Sequence, residues 1–201
     1  MEFTKIPAGT FKELQLNAGI LLSAFTPSSA AFDEANLLGA TSGGVNFTAT
    51  PTYSDFGEDI DNCPKNMKEL KKLDSWEIKM SGTFITANTT QAKSLVGAGD
   101  IDSSDSTKII PRNDVKAADF SDIWWVGDYS DINDTASGEG GSTAGFIAIH
   151  MINALSTGGF QIQSGDKAKG QMAFEYTAHY SMDAQDTVPY EIYIKTGTAS
   201  A

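Results

Sequence analysis

The chain has 201 residues, 40% of them hydrophobic and 20% charged, which predicts one folded domain, residues 1–201, with a sizeable core. Its 26 acidic and 14 basic residues give a net charge of −12, and this disfavours direct binding to a phosphate backbone. A single cysteine excludes an internal disulfide framework, and the sequence shows neither a signal-peptide pattern nor a membrane-length apolar run. We therefore expect a soluble protein that folds in a reducing compartment without a membrane partner.

The first half of the chain predicts a large hairpin followed by a helix. Residues 45–53 and 76–84 alternate apolar and polar side chains, which is typical of strands with one buried face. Residues 53–76 between them would form a hairpin loop much longer than ordinary connections, with a short helix or turn at 66–73. A helix is predicted within residues 88–99, because Asn88 is a cap candidate and glycines follow the body.

The second half predicts more strands, at residues 122–128, 144–154, 160–163, 169–182 and 189–195. The clearest alternation puts six side chains on one face: Met172, Phe174, Tyr176, Ala178, Tyr180 and Met182. Residues 146–152 are apolar on both faces except at His150, so we expect cover on both sides. Residues 130–143 are rich in Ser, Gly, Asp and Thr and predict a mobile loop. The fold class is therefore mainly β, an antiparallel sandwich or barrel with one short flanking α-helix and a long hairpin loop.

The long loop separates its charges along the chain. Four acids are followed by four lysines: Asp55, Glu58, Asp59, Asp61, Lys65, Lys68, Lys71 and Lys72. An EF-hand read from Asp59 would need an oxygen ligand where Cys63 stands, and one read from Asp55 would need it at Gly57. Both registers fail. The alternatives are a calcium site of another geometry and, far more often for such loops, a solvated charged surface.

No other pattern points to catalysis or a bound group. His150, His179 and Cys63 are too far apart in sequence for paired zinc ligands, and Asp55-Phe56-Gly57 lacks the other motifs of a kinase. His150 is expected to be a hydrogen-bonded core residue and His179 a surface or interface residue. The glycine-rich stretch at 140–145 has no lysine for a phosphate loop. We predict no catalytic residue, no metal site and no cofactor.

Three segments resemble the major tail (tail tube) proteins of long-tailed, siphovirus-type bacteriophages. They are LQLNAGILLSAFTPSS at residues 14–29, the strand, acidic loop and returning strand of residues 37–86 with the NTTQAKSLVGAG helix after them, and KGQMAFEYTAHYSMDAQDTVPYEIYI at 169–194. The likeness covers most of the chain. It rests on the order of the segments and their pattern, and no fixed chemical motif contributes to it.

The resemblance implies a structural virion protein. Subunits of this family form hexameric rings whose inner strands join into one barrel, and the rings stack into the tube through which DNA leaves the virion. The N-terminal segment 1–30 and the loop 53–76 would reach neighbouring copies, with the eight charged loop residues as contact candidates. The implied partners are the chain itself, the tape measure, tail terminator and distal tail proteins at the tube ends, and DNA only in transit. The implied location is the phage tail, assembled in the host cytoplasm.

Two alternatives remain open from the sequence. One is a tube subunit of a contractile tail, a tailocin or a type VI secretion-like particle. The other is a β-sandwich module that binds carbohydrate or a host surface, for which Trp124, Trp125 and the loop 130–143 would supply the contacts.

Overall fold

A computed structural model describes residues 5–7, 10, 13–129 and 145–196. In that part of the chain the strands are β1 (Gln15–Leu22), β2 (Thr41–Asp55), β3 (Lys71–Phe84), β4 (Gly99–Ile101), β5 (Ile109–Pro111), β6 (Ser121–Tyr129), β7 (Phe146–Ser156), β8 (Met172–Ala178) and β9 (Tyr190–Lys195), with the helix α1 (Thr89–Val96). The chain is thus mainly β with one short helix. No helix among these residues has the length and apolar character that crossing a bilayer would require.

One curled antiparallel sheet forms the body of the molecule. Its strand order is β1-β6-β7-β8-β3-β2, and β9 also pairs with β7. β6 pairs along one side of β7, whereas β9 and then β8 take successive stretches of the other side. The curl brings the segment before β2 back to β1, because Leu38 N donates to Leu21 O at 2.9 Å and Leu22 bridges Leu37. The result is a half-barrel.

Hydrophobic side chains pack on both faces of this sheet, as strand alternation requires. The larger core lies on the face to which β3, β8 and α1 contribute, and it includes Ile78, Met80, Phe84, Leu95, Met172, Phe174 and Tyr176. The opposite face carries a smaller core of Leu22, Phe25, Ala30, Trp124, Phe146 and Ala148. Both faces of β7 are at least partly covered, as predicted.

The helix follows its sequence signals. The side chain of Asn88 accepts a hydrogen bond from Gln91 N at 2.8 Å, so it caps the first turn as predicted. Gly97 follows the last turn with φ of 75°, a conformation that favours glycine. Leu95 is fully buried and anchors the helix to the larger core.

Two predicted boundaries and one predicted strand are wrong. The hairpin loop spans residues 56–70 rather than 53–76, because both strands continue to the pair Asp55–Lys71. β8 ends at Ala178, where the chain enters a turn, so Tyr180 and Met182 leave the sheet with 41% and 83% of their surface exposed. Within residues 160–163, the structure has only the single bridge of Gln163 to Gln171, since no neighbouring strand completes a ladder there.

The remaining predicted strands are confirmed within two residues at β6, β7 and β9. A short 3₁₀ turn, Lys68–Leu70, stands where a helix or turn was predicted. The strands β1, β4 and β5 were not predicted. The predicted mobile loop at 130–143 lies outside the described residues.

Candidate assembly interface

The outer edge of β2 is a long strand edge with no pairing partner in the described part of the chain. β2 has 15 residues and pairs only with β3, at the end of the strand order. None of its residues from 41 to 54 is charged, and β1, at the opposite end of the order, has no charged residue either. Natural edge strands are commonly protected by charges, so uncharged edges of this length are suited to pairing with another strand.

The register identifies which backbone groups of β2 face outward. Trp76 N donates to the hydroxyl of Tyr180 at 3.2 Å, on the side of β3 away from β2. Trp76 pairs with Pro51, so this pair exchanges no backbone hydrogen bonds and the backbone of Pro51 also points away from its partner. By the two-residue period of a strand, Ala49, Phe47 and Val45 present their N–H and C=O groups to the same free edge.

The end of the β2–β3 hairpin extends beyond the core as a hairpin arm, residues 53–73. β8 supports β3 only from Lys79 to Phe84, so the arm is two-stranded. Large apolar side chains of the arm are exposed, namely Tyr53 (53%), Phe56 (62%), Ile60 (52%), Met67 (38%) and Leu73 (42%). Two-stranded hairpins are marginally stable alone, and exposed apolar surface is typical of an interaction site.

The eight predicted contact residues divide between two roles. The Asp55 carboxylate accepts hydrogen bonds from Gly57 N at 3.0 Å and Asn66 N at 2.9 Å, so it organises its own loop. Lys71 pairs with Asp55 in the strand register and donates to Asn66 Oδ1 at 2.6 Å. Lys72 lies in β3 opposite Ser54. The structure thus gives Asp55 and Lys71 contacts within the subunit.

The other charged residues lie on the loop surface. Lys68 forms one exposed ion pair, 3.6 Å from Glu69. Glu58, Asp59, Asp61 and Lys65 are exposed, and no salt bridge to them is present among the described residues. They are therefore free to contact another molecule, and isolated exposed charges of this kind contribute little to the stability of the subunit.

We expect removal of the Asp55 carboxylate to loosen the loop. The pKa of Asp55 lies below its ordinary value, first because of the hydrogen bond from Gly57 N and then because of that from Asn66 N. A lowered pKa means that the stabilising contribution is complete above the ordinary pKa of aspartate, about 3.9, and is lost as the pH falls through the lower value. Asp55→Ala should therefore speed hydrogen–deuterium exchange at Gly57 and Asn66 at neutral pH. Asp59→Ala is the control, and equal exchange in both variants would contradict this role.

The two tryptophans proposed as a ligand platform are used inside the fold. Trp124 is 7% exposed, and its ring stacks on His150 with 3.9 Å between centroids. Trp125 packs against the larger core and donates from Nε1 to Ala18 O at 3.0 Å. Gly19 accommodates this close approach, since a Cβ there would lie 2.5 Å from Trp125 Nε1. Both tryptophans therefore pack with the two cores of the sheet.

The histidines also have partners inside the subunit. The ring nitrogens of His150 lie 3.1 Å from Asp122 and 3.3 Å from Glu191, so the side chain connects β6, β7 and β9. This confirms a hydrogen-bonded and largely buried histidine. His179 is half-buried, with its ring packed edge-on against Phe120. Among the described residues no group of three His, Cys, Asp or Glu side chains is arranged to hold a metal ion.

A separate cluster of charges, centred on Arg112, stabilises the short β4–β5 hairpin. Arg112 Nη2 lies 2.6 Å from Asp119 Oδ1, and its Nε makes an ion-pair contact of 2.8 Å with Asp100 Oδ2. The pKa of Asp119 is lowered by the hydrogen bond from Lys116 N and then by that from Arg112. All these partners belong to one segment, and this indicates a structural role.

No protein-family model matches the chain, and no curated protein matches it. The features that point to a function are the free strand edges, the hairpin arm and the resemblance of the three sequence segments.

Proposed function

We propose that the chain is a structural subunit of the tail tube of a long-tailed bacteriophage. Six copies would form a ring, and the rings would stack into the tube. The observation that carries the proposal is the pair of uncharged strand edges at opposite ends of one open sheet. Leu21 and Leu22 of β1 already contact residues 37–38, so β2 of one copy would pair with the remaining outer edge of β1, residues 15–20, in the next copy. This is a heterologous contact, and such contacts generate closed rings when the rotation between copies closes.

The charge of the subunit supports the same role. A net charge of −12 gives transiting DNA little to bind, and this suits a conduit for ejection. The tape measure, tail terminator and distal tail proteins are the proposed partners at the tube ends, and the phage tail is the proposed location. The role is non-enzymatic and requires no cofactor.

Electron microscopy tests the proposal directly. Purified protein at high concentration is expected to form rings or tubes in negative stain. Sedimentation as a monomer at every concentration, salt and pH tried, with no polymer on the grid, would overturn it. A contractile tail, tailocin or type VI secretion-like particle is distinguished by a sheath gene beside this one.

A charge reversal tests the exposed acids of the loop. Asp59→Lys with Asp61→Lys is expected to impair stacking of rings while leaving the subunit folded, because exposed ion pairs contribute only about 0–1 kcal/mol to stability. Polymer length in negative stain and the thermal unfolding midpoint are the two measurements. A double variant that unfolds would show that these acids serve their own subunit. Dissolution of wild-type polymers by a chelator would instead favour a calcium site in the loop.

The carbohydrate-binding alternative loses its main support in the structure. Both tryptophans that suggested it are engaged in packing, and Trp124 has almost no exposed surface for a sugar ring. We therefore do not propose that function.

A further inference from the structure

A cavity of about 480 Å³ lies between the start of α1 and the segment that leads into β2. One wall is the helix, through Thr89, Thr90 and Gln91, and the opposite wall includes Asn36 and Leu37. The volume falls in the range of small-molecule sites. No charged side chain of the described residues lines the cavity, and neither the free strand edges nor the hairpin arm contributes to it.

Gln91 is a polar residue on the buried side of the helix. It lies one turn before Leu95, so the two side chains share the face of α1 that packs against the sheet. Gln91 is 4% exposed, and among the described residues neither its carboxamide nitrogen nor its carboxamide oxygen has a hydrogen-bond partner. A buried amide without partners destabilises the fold, and apolar side chains are typical of such positions. The amide therefore calls for a partner that the chain itself does not supply.

The backbone beside Gln91 leaves room for this carboxamide. A Cβ at position 39 would lie 2.5 Å from Gln91 Nε2, which is too close for atoms that are not bonded. Any residue other than Gly39 would therefore displace the carboxamide. The glycine allows the amide to remain in the wall of the cavity.

The remaining polar groups of the cavity both donate and accept. The N–H groups of Thr89 and Thr90 belong to the first turn of α1 and have no acceptor within the helix, whereas that of Gln91 is capped. The hydroxyls of Ser94 and Tyr176 lie 3.0 Å apart, and burial raises the pKa of Tyr176, so its phenol is uncharged at neutral pH. Donors and acceptors are thus present together without a formal charge.

We propose that this cavity binds a small uncharged molecule that carries a carboxamide group. A carboxamide presents an oxygen acceptor beside N–H donors, which matches the unpaired donor and acceptor of Gln91. The free N–H groups of the first turn would donate to a second carbonyl oxygen of the ligand. An anion would suit a helix N-terminus but is disfavoured, because no basic side chain of the described residues lines the cavity and the net charge is −12. This inference does not depend on the proposed tail-tube function.

Titration of the full-length protein with N-acetylglycinamide tests the site, at a protein concentration below that of polymerisation. N-acetylglycine is the matched probe, with a carboxylate in place of the carboxamide. The amide probe is expected to shift the NMR signals of the Gln91 side-chain NH₂ and of the Thr89 and Thr90 amides in a saturable way, and the carboxylate probe should bind more weakly. Absence of a saturable shift with N-acetylglycinamide would overturn the proposal. Equal or stronger binding of N-acetylglycine would overturn it as well, in favour of an anion site.

A substitution at Gln91 separates a binding role from a packing role. Gln91→Met keeps the length of the side chain and removes its polar atoms, so affinity for the amide probe should fall on the order of tenfold. The thermal unfolding midpoint should rise, because no buried amide is left unpaired. Gln185→Met is the control, since Gln185 is exposed in the turn between β8 and β9 and should bind the probe like wild type. Equal affinity in the two variants would contradict the site.

Thr90→Val provides a second variant that leaves the buried face of α1 unchanged. Thr90 is exposed and lines the cavity, so this variant should fold like wild type and bind N-acetylglycinamide more weakly. Unchanged binding would count against the assigned cavity. Polymer formation is not measured in any of these experiments, so their failure leaves the proposed function intact.

Discussion

Two lysines on the free edge of β2 are expected to abolish polymerisation while leaving the subunit folded. Asn46→Lys with Thr50→Lys places both charges on the exposed side of the strand. Lysine on an edge strand opposes pairing, because an added strand would bring its own side chains beside the two ammonium groups and partly desolvate them. The concentration needed for polymerisation should therefore rise about 100-fold or more, measured by pelleting and negative stain.

The control for this prediction carries the same change of charge elsewhere. Ser103→Lys with Ser106→Lys lies in the exposed β4–β5 turn and also makes the net charge less negative by two. It should polymerise like wild type or slightly better, because repulsion between acidic copies is reduced. Equal loss of polymer in both double variants would show that charge, and not the β2 edge, controls assembly.

Phe84→Ala is expected to cause the largest loss of stability of any single change considered. Phe84 is fully buried in the larger core, and its ring lies 4.4 Å from that of Phe174. Truncation of a buried phenylalanine removes apolar contacts and leaves a cavity, at a cost of about 3–5 kcal/mol. Since domains are stabilised by only about 5–15 kcal/mol, the urea midpoint should fall sharply.

Phe160→Ala provides the comparison for that measurement. Phe160 is 45% exposed and lies outside the strands, so its truncation should change the free energy of unfolding by roughly 0.5 kcal/mol or less. Similar losses in the two variants would mean that Phe84 is not part of a tightly packed core.

The sequence predicted the strands that have one buried face and a regular pattern. In residues 76–84 of β3 and in β8 alternate positions face the larger core, so the two-residue period is visible without any knowledge of neighbours. The helix was predictable because Asn88 and Gly97 act locally, through a cap and a left-handed conformation. These features depend on residues close together in the chain.

The parts that could not be predicted depend on distant residues. β1 contains Asn17 and Gly19 at positive φ, and its register with β6 is irregular between Leu16 and Ile20, which breaks the alternation. Conversely, Phe160 and Ile162 have the right spacing for a strand but find no neighbouring strand to extend a ladder. Pairing of this kind is set by the tertiary fold.

Only the charged part of the candidate interface could be predicted from the sequence. The charged residues of the long loop stood out, yet Asp55 and Lys71 serve the hairpin itself. The apolar side chains Phe56 and Ile60 were passed over because isolated apolar residues in a loop carry no pattern, and only their exposure in the fold distinguishes them. Recognising that β2 has a free edge likewise requires the order of the strands in the sheet, and no local sequence signal encodes that order.

Pro51 limits how far another strand can extend along β2. Its backbone faces the free edge but has no N–H to donate, so the row of outward donors that starts at Val45 stops after Ala49. A strand from another molecule can therefore pair with β2 along the body of the sheet, and its hydrogen bonds to β2 are interrupted at Pro51, before the arm begins. In the proposed polymer, one imino acid would thus limit the length of the seam between copies and keep the arm outside it.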